Sequence, residues 1–217
     1  MRILYVGLLY NYGKREEGFS YEHMNVEAGF GEYCRVNRID DYYYYPDSDP
    51  WPVDMMLERF NYDAIFHVAF NESLDLPESV AKLALRKDIP VIQWDCDSSW
   101  RFGSWILPRK SRVSHFITTH SATIPWYQQN GMKVIKSQWA GSPLYSKNIS
   151  VIKTWPITFI GQRHGQMPNG KFLRSEIIDA MTTAGINVDL FGNYWDGYKN
   201  WHGYINEFET IIDIFNA

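Results

Sequence analysis

The residues best suited to chemistry in this chain lie where short apolar runs stop at a glycine. The run Ile157-Thr158-Phe159-Ile160 ends at Gly161, followed by Gln162, Arg163 and His164, with Lys171 further on. Open α/β sheets bind ligands beyond the carboxyl ends of their strands. There glycine lets backbone approach, and the next helix N-terminus favours an anion. Arg163, His164 and Lys171 add positive charge at that place. Amide donors plus cations are what a diphosphate leaving group needs. The pattern is neither a complete dinucleotide fingerprint nor a P-loop, and a glycine turn with solvated basic side chains is the plainer alternative. A second apolar run, Val188-Asp189-Leu190-Phe191, stops at Gly192, and Trp195 follows. A base or ribose often lies beyond such a strand end, so Trp195 either stacks on a base or closes the sheet.

Two further strand ends carry candidate acids and bases. Asp95-Cys96-Asp97 follows Pro90-Val91-Ile92-Gln93-Trp94. The two carboxylates could deprotonate or hydrogen-bond an acceptor hydroxyl, or cap the turn before Ser98 and Ser99. A metal on these two acids is the less favoured reading, since hard cations take more oxygen ligands than two residues supply; no metal site is expected. His120, in Thr118-Thr119-His120-Ser121, could bond a sugar hydroxyl or a phosphate. Nearer the N-terminus, Arg2-Ile3-Leu4-Tyr5-Val6-Gly7 is another strand–glycine start. Asn11, Gly13 and Lys14 form its loop, and Glu22 and His23 follow.

The elements that must position these residues alternate. Strands are expected at Arg2–Leu9, Arg35–Ile39, Ala64–Val68, Pro90–Trp94, Ser114–Thr118 and Val134–Gln138. Helices are expected at Ser20–Tyr33 (Ser20 as N-cap), Val53–Phe60, Pro77–Arg86 and Ser121–Gln129. The polar, tyrosine-rich stretch from Asp40 to Pro52 reads as a loop, and Ser142 to Trp155 as a linker. A second βαβ unit follows, with its helix at Lys171–Ala184, and Ile205 to Phe215 follows a helical period. The fold class expected is α/β: a Rossmann-type parallel-sheet domain over residues 1–145 and a partial Rossmann-like βαβ unit over 146–217.

Composition excludes several classes. A net charge of −4 argues against a mainly electrostatic nucleic-acid binder. No apolar run approaches the roughly 20 residues a membrane helix needs, and no signal peptide is evident, so a cytoplasmic chain is expected. Two cysteines, Cys34 and Cys96, make neither a disulfide framework nor a metal cage. Aromatic residues reach 17%, and many lie in loop-like surroundings, as Trp51, Trp100, Trp126 and Trp201 do. Tyr and Trp offer an apolar face with a polar handle, which suits sugar rings as well as cores.

Phe159-Ile160-Gly161, Arg174-Ser175-Glu176, Ala184-Gly185-Ile186-Asn187-Val188, Phe191-Gly192, Trp195 and Gly203-Tyr204 together resemble the start of the C-terminal half of GT-B glycosyltransferases. The likeness is greatest to the GT4-like enzymes and the CgeB type of spore-maturation protein. The N-terminal part, through Arg2–Gly7 and Pro90–Asp95, is similar to the acceptor-side domain. The resemblance implies a transferase that moves a sugar from a nucleotide-diphosphate sugar to a carbohydrate or other hydroxyl acceptor, with no other cofactor. It would place the donor diphosphate at the Gly161 loop, with Arg163 and Lys171 as phosphate partners. Asp95, Asp97 or His120 would serve as base if the reaction inverts. A non-catalytic carbohydrate- or nucleotide-binding protein on the same scaffold is the alternative. The family's downstream acidic motif has no counterpart, since Glu207 and Glu209 fall before its place. A truncated chain, or one that completes its site by self-association, is therefore also expected.

Overall fold

The computed structural model describes residues 1–49, 52–69, 76–95, 97–138, 155, 157–163, 173–205 and 214. The chain divides into two compact units, Met1–Ser142 and Pro143–Ala217.

Unit 1 is built on six parallel strands: β1 Arg2–Val6, β2 Asp40–Tyr44, β3 Ala64–Ala69, β4 Val91–Asp95, β5 His115–Thr118 and β6 Val134–Lys136. Their spatial order is β2-β1-β3-β4-β5-β6. The register sets Val6 beside Tyr44 and His67, and Asp95 beside Ala69 and Thr118. A parallel sheet is covered on its faces by its crossover helices, so central strands read as near-continuous apolar runs. One face buries Leu4, Val6, Ile65 and Val91 against helices α2 (Val53–Arg59) and α3 (Glu78–Arg86). The other packs Tyr5, Phe66 and Trp94 against Val26 and Phe30. Val26 lies in a π-helical turn, His23–Glu27, that runs directly into α1, Ala28–Asn37. A third cluster joins Phe116 to Phe102, Trp105, Ile106 and Tyr127. These come from the π-helical turn Phe102–Ile106, which follows directly on α4 (Ser98–Arg101), and from α5 (Ile124–Gln129).

Two expectations fail near β2. No strand runs from Arg35 to Ile39, because α1 continues to Asn37 and ends at Arg38 in the left-handed region, φ 55°. Cys34 is buried on its inner side, and Arg35 is paired with Glu32 one turn back at 2.6 Å. The strand is instead the first part of the tyrosine run read as a loop. Tyr43 packs on Tyr5, while Tyr42 and Tyr44 join the opposite core. A run of one residue type shows no hydropathy alternation, so its period of two is invisible in the sequence. Aromatic and β-branched residues nevertheless suit a pleated, half-buried surface.

Unit 2 has two parallel strands, β7 Thr158–Ile160 and β8 Asp189–Phe191, joined through helix α6, Leu173–Thr183. Trp201 adds one parallel bridge to Leu190. Ile178, Val188, Leu190 and Trp195 form its core. His164, Lys171, most of the expected linker and nearly all of the expected final helix lie outside the described residues. No helix among the described residues is long and apolar enough to cross a membrane.

Candidate functional site

Three strand-end corners hold the residues singled out by sequence. The first is where β4 and β5 end. Asp95 is 0% exposed. Its Oδ1 accepts from Gln93 Nε2 at 2.5 Å and its Oδ2 from the Tyr127 hydroxyl at 2.7 Å. Burial, and then the Asp95 charge, push the Tyr127 hydroxyl far above its ordinary range, so Tyr127 stays a donor. Beside them Ser98 Oγ meets Thr118 Oγ1 at 2.6 Å, and Thr118 Oγ1 meets Thr123 Oγ1 at 3.2 Å. The His120 amide donates to Thr118 Oγ1 at 3.1 Å. This is a buried polar lock tying strand ends to the following helices, of the kind that is stabilising when its members are satisfied. Asp97 stands apart at φ 57°, with its half-exposed side chain 4.0 Å from Arg101. His120 is exposed. Thus Asp95 and the His120 backbone belong to one network, while Asp97 and the His120 ring face solvent. Among the described residues no group of three or more His, Cys, Asp and Glu could hold a metal ion.

The second corner is where β1 and β2 end. The strand order reverses direction between β1 and β3, and doubly wound sheets take ligands at such a switch point. The amides of Leu9 and Tyr10, just past Gly7, donate to the two carboxylate oxygens of Asp47, at 3.1 and 2.8 Å. An anion therefore finds these amides already occupied by a carboxylate. Ser20 Oγ donates to the Leu8 carbonyl at 2.7 Å and accepts from the His23 amide at 2.9 Å, capping the helix as its sequence position suggests. His23 Nδ1 lies 2.9 Å from Glu27 Oε2, and the Tyr45 hydroxyl donates to Glu27 Oε1 at 2.8 Å. Phe19 packs on the His23 ring at 5.3 Å and is stacked on Tyr10 at an interplanar angle of 9°. Sequence reasoning noted His23 but missed Glu27 and Tyr45 as its partners. The His-x-x-x-Glu spacing was the available signal, since residues four apart share a helix face.

The third corner is where β7 and β8 end in unit 2. Gly161 and Gly192 touch through their backbones. A Cβ on Gly192 would stand 2.3 Å from the Gly161 carbonyl oxygen, and Gly192 has φ +127°. Trp195 is 0% exposed, and its indole N–H donates to that same carbonyl at 2.7 Å. It packs on Phe159 and Tyr198, closing the sheet rather than facing a base. Arg163 is half-buried. Its Nε donates to Ser175 Oγ in the first turn of α6 at 2.8 Å, and its guanidinium lies 5.5 Å from the Tyr198 ring centre. Tyr198 is steadied in turn by Asp179 at 2.9 Å. Arg174 Nη1 donates to the Gln162 carbonyl at 2.6 Å. Two guanidinium groups thus sit at the positive end of a helix macrodipole, an end that favours negative charge. Glu176 in the same turn offsets part of that charge.

The fold defines a class, a doubly wound parallel α/β sheet accompanied by a small βαβ unit. Comparison with protein-family models finds no match, and comparison with curated proteins finds none.

Proposed function

We propose that the chain is a GT-B-type glycosyltransferase that moves a sugar from a nucleotide-diphosphate donor to a hydroxyl acceptor. Unit 2 takes the donor diphosphate at the start of α6, and unit 1 takes the acceptor. The observation that carries this reading is the pair of Arg163, bonded from the loop after β7 to the first turn of α6, and Arg174 in that turn. Fixed cations beside helix amides are a leaving-group site for a diphosphate. The β1 corner of unit 1, with its amides taken by Asp47, suits a neutral polyhydroxylated ligand better than an anion. His164 and Lys171 are proposed as further phosphate partners on sequence grounds.

The test is a thermal-shift screen of nucleoside diphosphates and nucleotide sugars, followed by a transfer assay that counts released nucleoside diphosphate. A nucleotide sugar should raise the midpoint of the wild type, and Arg163→Ala should lose most of that rise. Equal stabilisation of both proteins would remove the donor site from this corner. A second reading is favoured by the sealed state of Asp95, which offers no free oxygen to an acceptor. On that reading the chain binds a nucleotide sugar without turning it over. Calorimetric binding with no turnover of any donor would decide for it.

A further inference from the structure

Beside the β4 corner of unit 1, indoles and guanidinium groups alternate: Trp100, Arg101, Trp105, Arg109. The Arg101 guanidinium lies 4.5 Å from the Trp100 ring centre and 5.4 Å from that of Trp105. The Arg109 guanidinium lies 4.9 Å from the Trp105 ring centre. We propose that Trp100 is the open end of this series and that, together with Asp97, it docks the guanidinium of an arginine side chain on a partner polypeptide. The inference lies within unit 1 and does not depend on the glycosyl-transfer reading.

The face of an indole carries negative charge density and attracts a cation within about 6 Å of its centre. Trp105 takes two guanidinium groups at such distances, so one ring in this series already serves two cations. Trp100 has one, Arg101, and is 66% exposed. An indole so exposed keeps surface for a second cation from outside. The inner end of the series is fixed. Trp105 is 1% exposed, and Arg109 Nη1 donates to its carbonyl at 2.7 Å. The Arg101 side chain is 14% exposed. Trp100 is therefore oriented before any partner arrives, which lowers the ordering cost of binding. Trp105 lies in the π-helical turn after α4, and such turns concentrate at functional sites.

Asp97 supplies the opposite charge. It stands one turn before Trp100, and its side chain is 52% exposed. Among the described residues its one ion pair is with Arg101 at 4.0 Å, beyond hydrogen-bond length. Its two oxygens can therefore take the parallel N–H bonds of a guanidinium fork. A planar guanidinium can stack and pair at once, which an ammonium cannot. The net charge of −4 draws a basic partner over longer range. An exposed indole also suits a sugar ring or a nucleobase, but neither uses the carboxylate and the cation series together.

The experiment is an NMR titration of the full ¹⁵N-labelled chain, followed at the Arg101 amide. The probes are the peptide Gly-Arg-Gly and its lysine and citrulline counterparts; citrulline has the shape of arginine without its charge. The arginine peptide should give a saturable shift with a dissociation constant on the order of millimolar, as one exposed cation–π contact and one ion pair warrant. The lysine peptide should bind more weakly, and the citrulline peptide should give no saturable shift. Asp97→Asn should weaken the arginine peptide by about two- to fivefold. Trp100→Ala and Trp100→Leu should weaken it by about fivefold or more, although leucine keeps an apolar side chain there. Trp126→Ala, which removes the half-exposed indole packed on Phe102, should leave it unchanged. The amides of the six-stranded sheet should keep their positions in the Asp97 and Trp100 variants, whose altered side chains are exposed.

No saturable shift with the arginine peptide overturns the proposal. So does equal binding of the citrulline peptide, or wild-type affinity in Trp100→Leu, since either would make the contact apolar rather than cationic. Maltotriose or adenosine monophosphate saturating the Arg101 amide where the arginine peptide does not would assign the platform to a sugar or a base instead.

Discussion

The chain begins a strand–glycine corner twice, and the two corners have opposite electrostatics. Past Gly7, the carboxylate of Asp47 takes the loop amides and the carboxylate of Glu27 holds an imidazole. Past Gly161, the guanidinium groups of Arg163 and Arg174 are tied to the backbone turn and the first turn of α6. Glycine also does different work in each. A Cβ on Gly7 would meet the Tyr5 ring at 2.7 Å, whereas one on Gly192 would meet the Gly161 carbonyl at 2.3 Å. One glycine makes room for a side chain, and the other lets two backbones touch. On the proposed reading, a strand ending in glycine opens a place for a ligand, and the charges supplied from elsewhere in the chain decide which ligand.

The sharpest way to break the comparison is to add a methyl group in each corner. Gly192→Ala combines a backbone overlap with a φ of +127° that an L-residue rarely adopts. It should cost unit 2 about 3 kcal/mol or more. Hydrogen exchange should show α6 and β8 losing protection while the six-stranded sheet keeps it. Gly7→Ala meets only a ring edge, which can shift, and should cost about 1–2 kcal/mol in unit 1. Equal losses would mean that the two glycines serve one purpose.

Next in size is a charge removed from each corner. Asp47→Ala deprives two backbone amides of their acceptor, and should destabilise unit 1 by about 2 kcal/mol in urea denaturation. Arg163→Ala removes a cation from the positive end of α6. It should change stability by less than about 1 kcal/mol without ligand. Its effect should appear instead as weaker binding of a nucleoside diphosphate, by roughly tenfold or more, in keeping with the loss of a charge-assisted hydrogen bond. If Arg163→Ala unfolds unit 2 and leaves affinity unchanged, Arg163 is a structural tie between β7 and α6.

Much of the frame was legible because its signals are local. The apolar runs read at Ala64–Val68 and Pro90–Trp94 and the proline-started helix read at Pro77–Arg86 appear as strand Ala64–Ala69, strand Val91–Asp95 and helix Glu78–Arg86. Strand β2 was hidden because its tyrosines carry no alternation, and the helix before it ran on through residues whose sequence also suits a strand. The sites were less legible than the frame. Asp95 read as a candidate base, and nothing near it in sequence showed that Tyr127 would close over it from 32 residues away. Trp195 read equally as a stacking platform or a core residue; its partner is the Gly161 carbonyl, 34 residues back. Tyr45, whose hydroxyl orients Glu27, is 18 residues from it. Contacts of long sequence separation are set by topology, and topology is what a single sequence leaves open.

The smallest expected effect separates the helix cap at Ser20 from the carboxylate that holds the His23 imidazole. Ser20 is 1% exposed, and its Oγ links the Leu8 carbonyl after β1 to the His23 amide. Ser20→Ala should cost about 1 kcal/mol, the usual worth of an N-cap, measured by urea denaturation. The cap acts on the backbone of His23 and the carboxylate acts on its ring, so the two can be varied apart. Ser20→Ala should lower stability and leave the Nδ1–H tautomer of His23 in place. Glu27→Gln should do the reverse, changing the tautomer, as long-range ¹H–¹⁵N NMR reads it, at little cost in stability because Gln keeps the volume and an acceptor oxygen for the Tyr45 hydroxyl. A Ser20→Ala protein that loses the tautomer as well would mean that the π-helical turn itself, rather than Glu27, sets the imidazole. The corner past Gly7 would then be defined by its backbone, as the corner past Gly161 is.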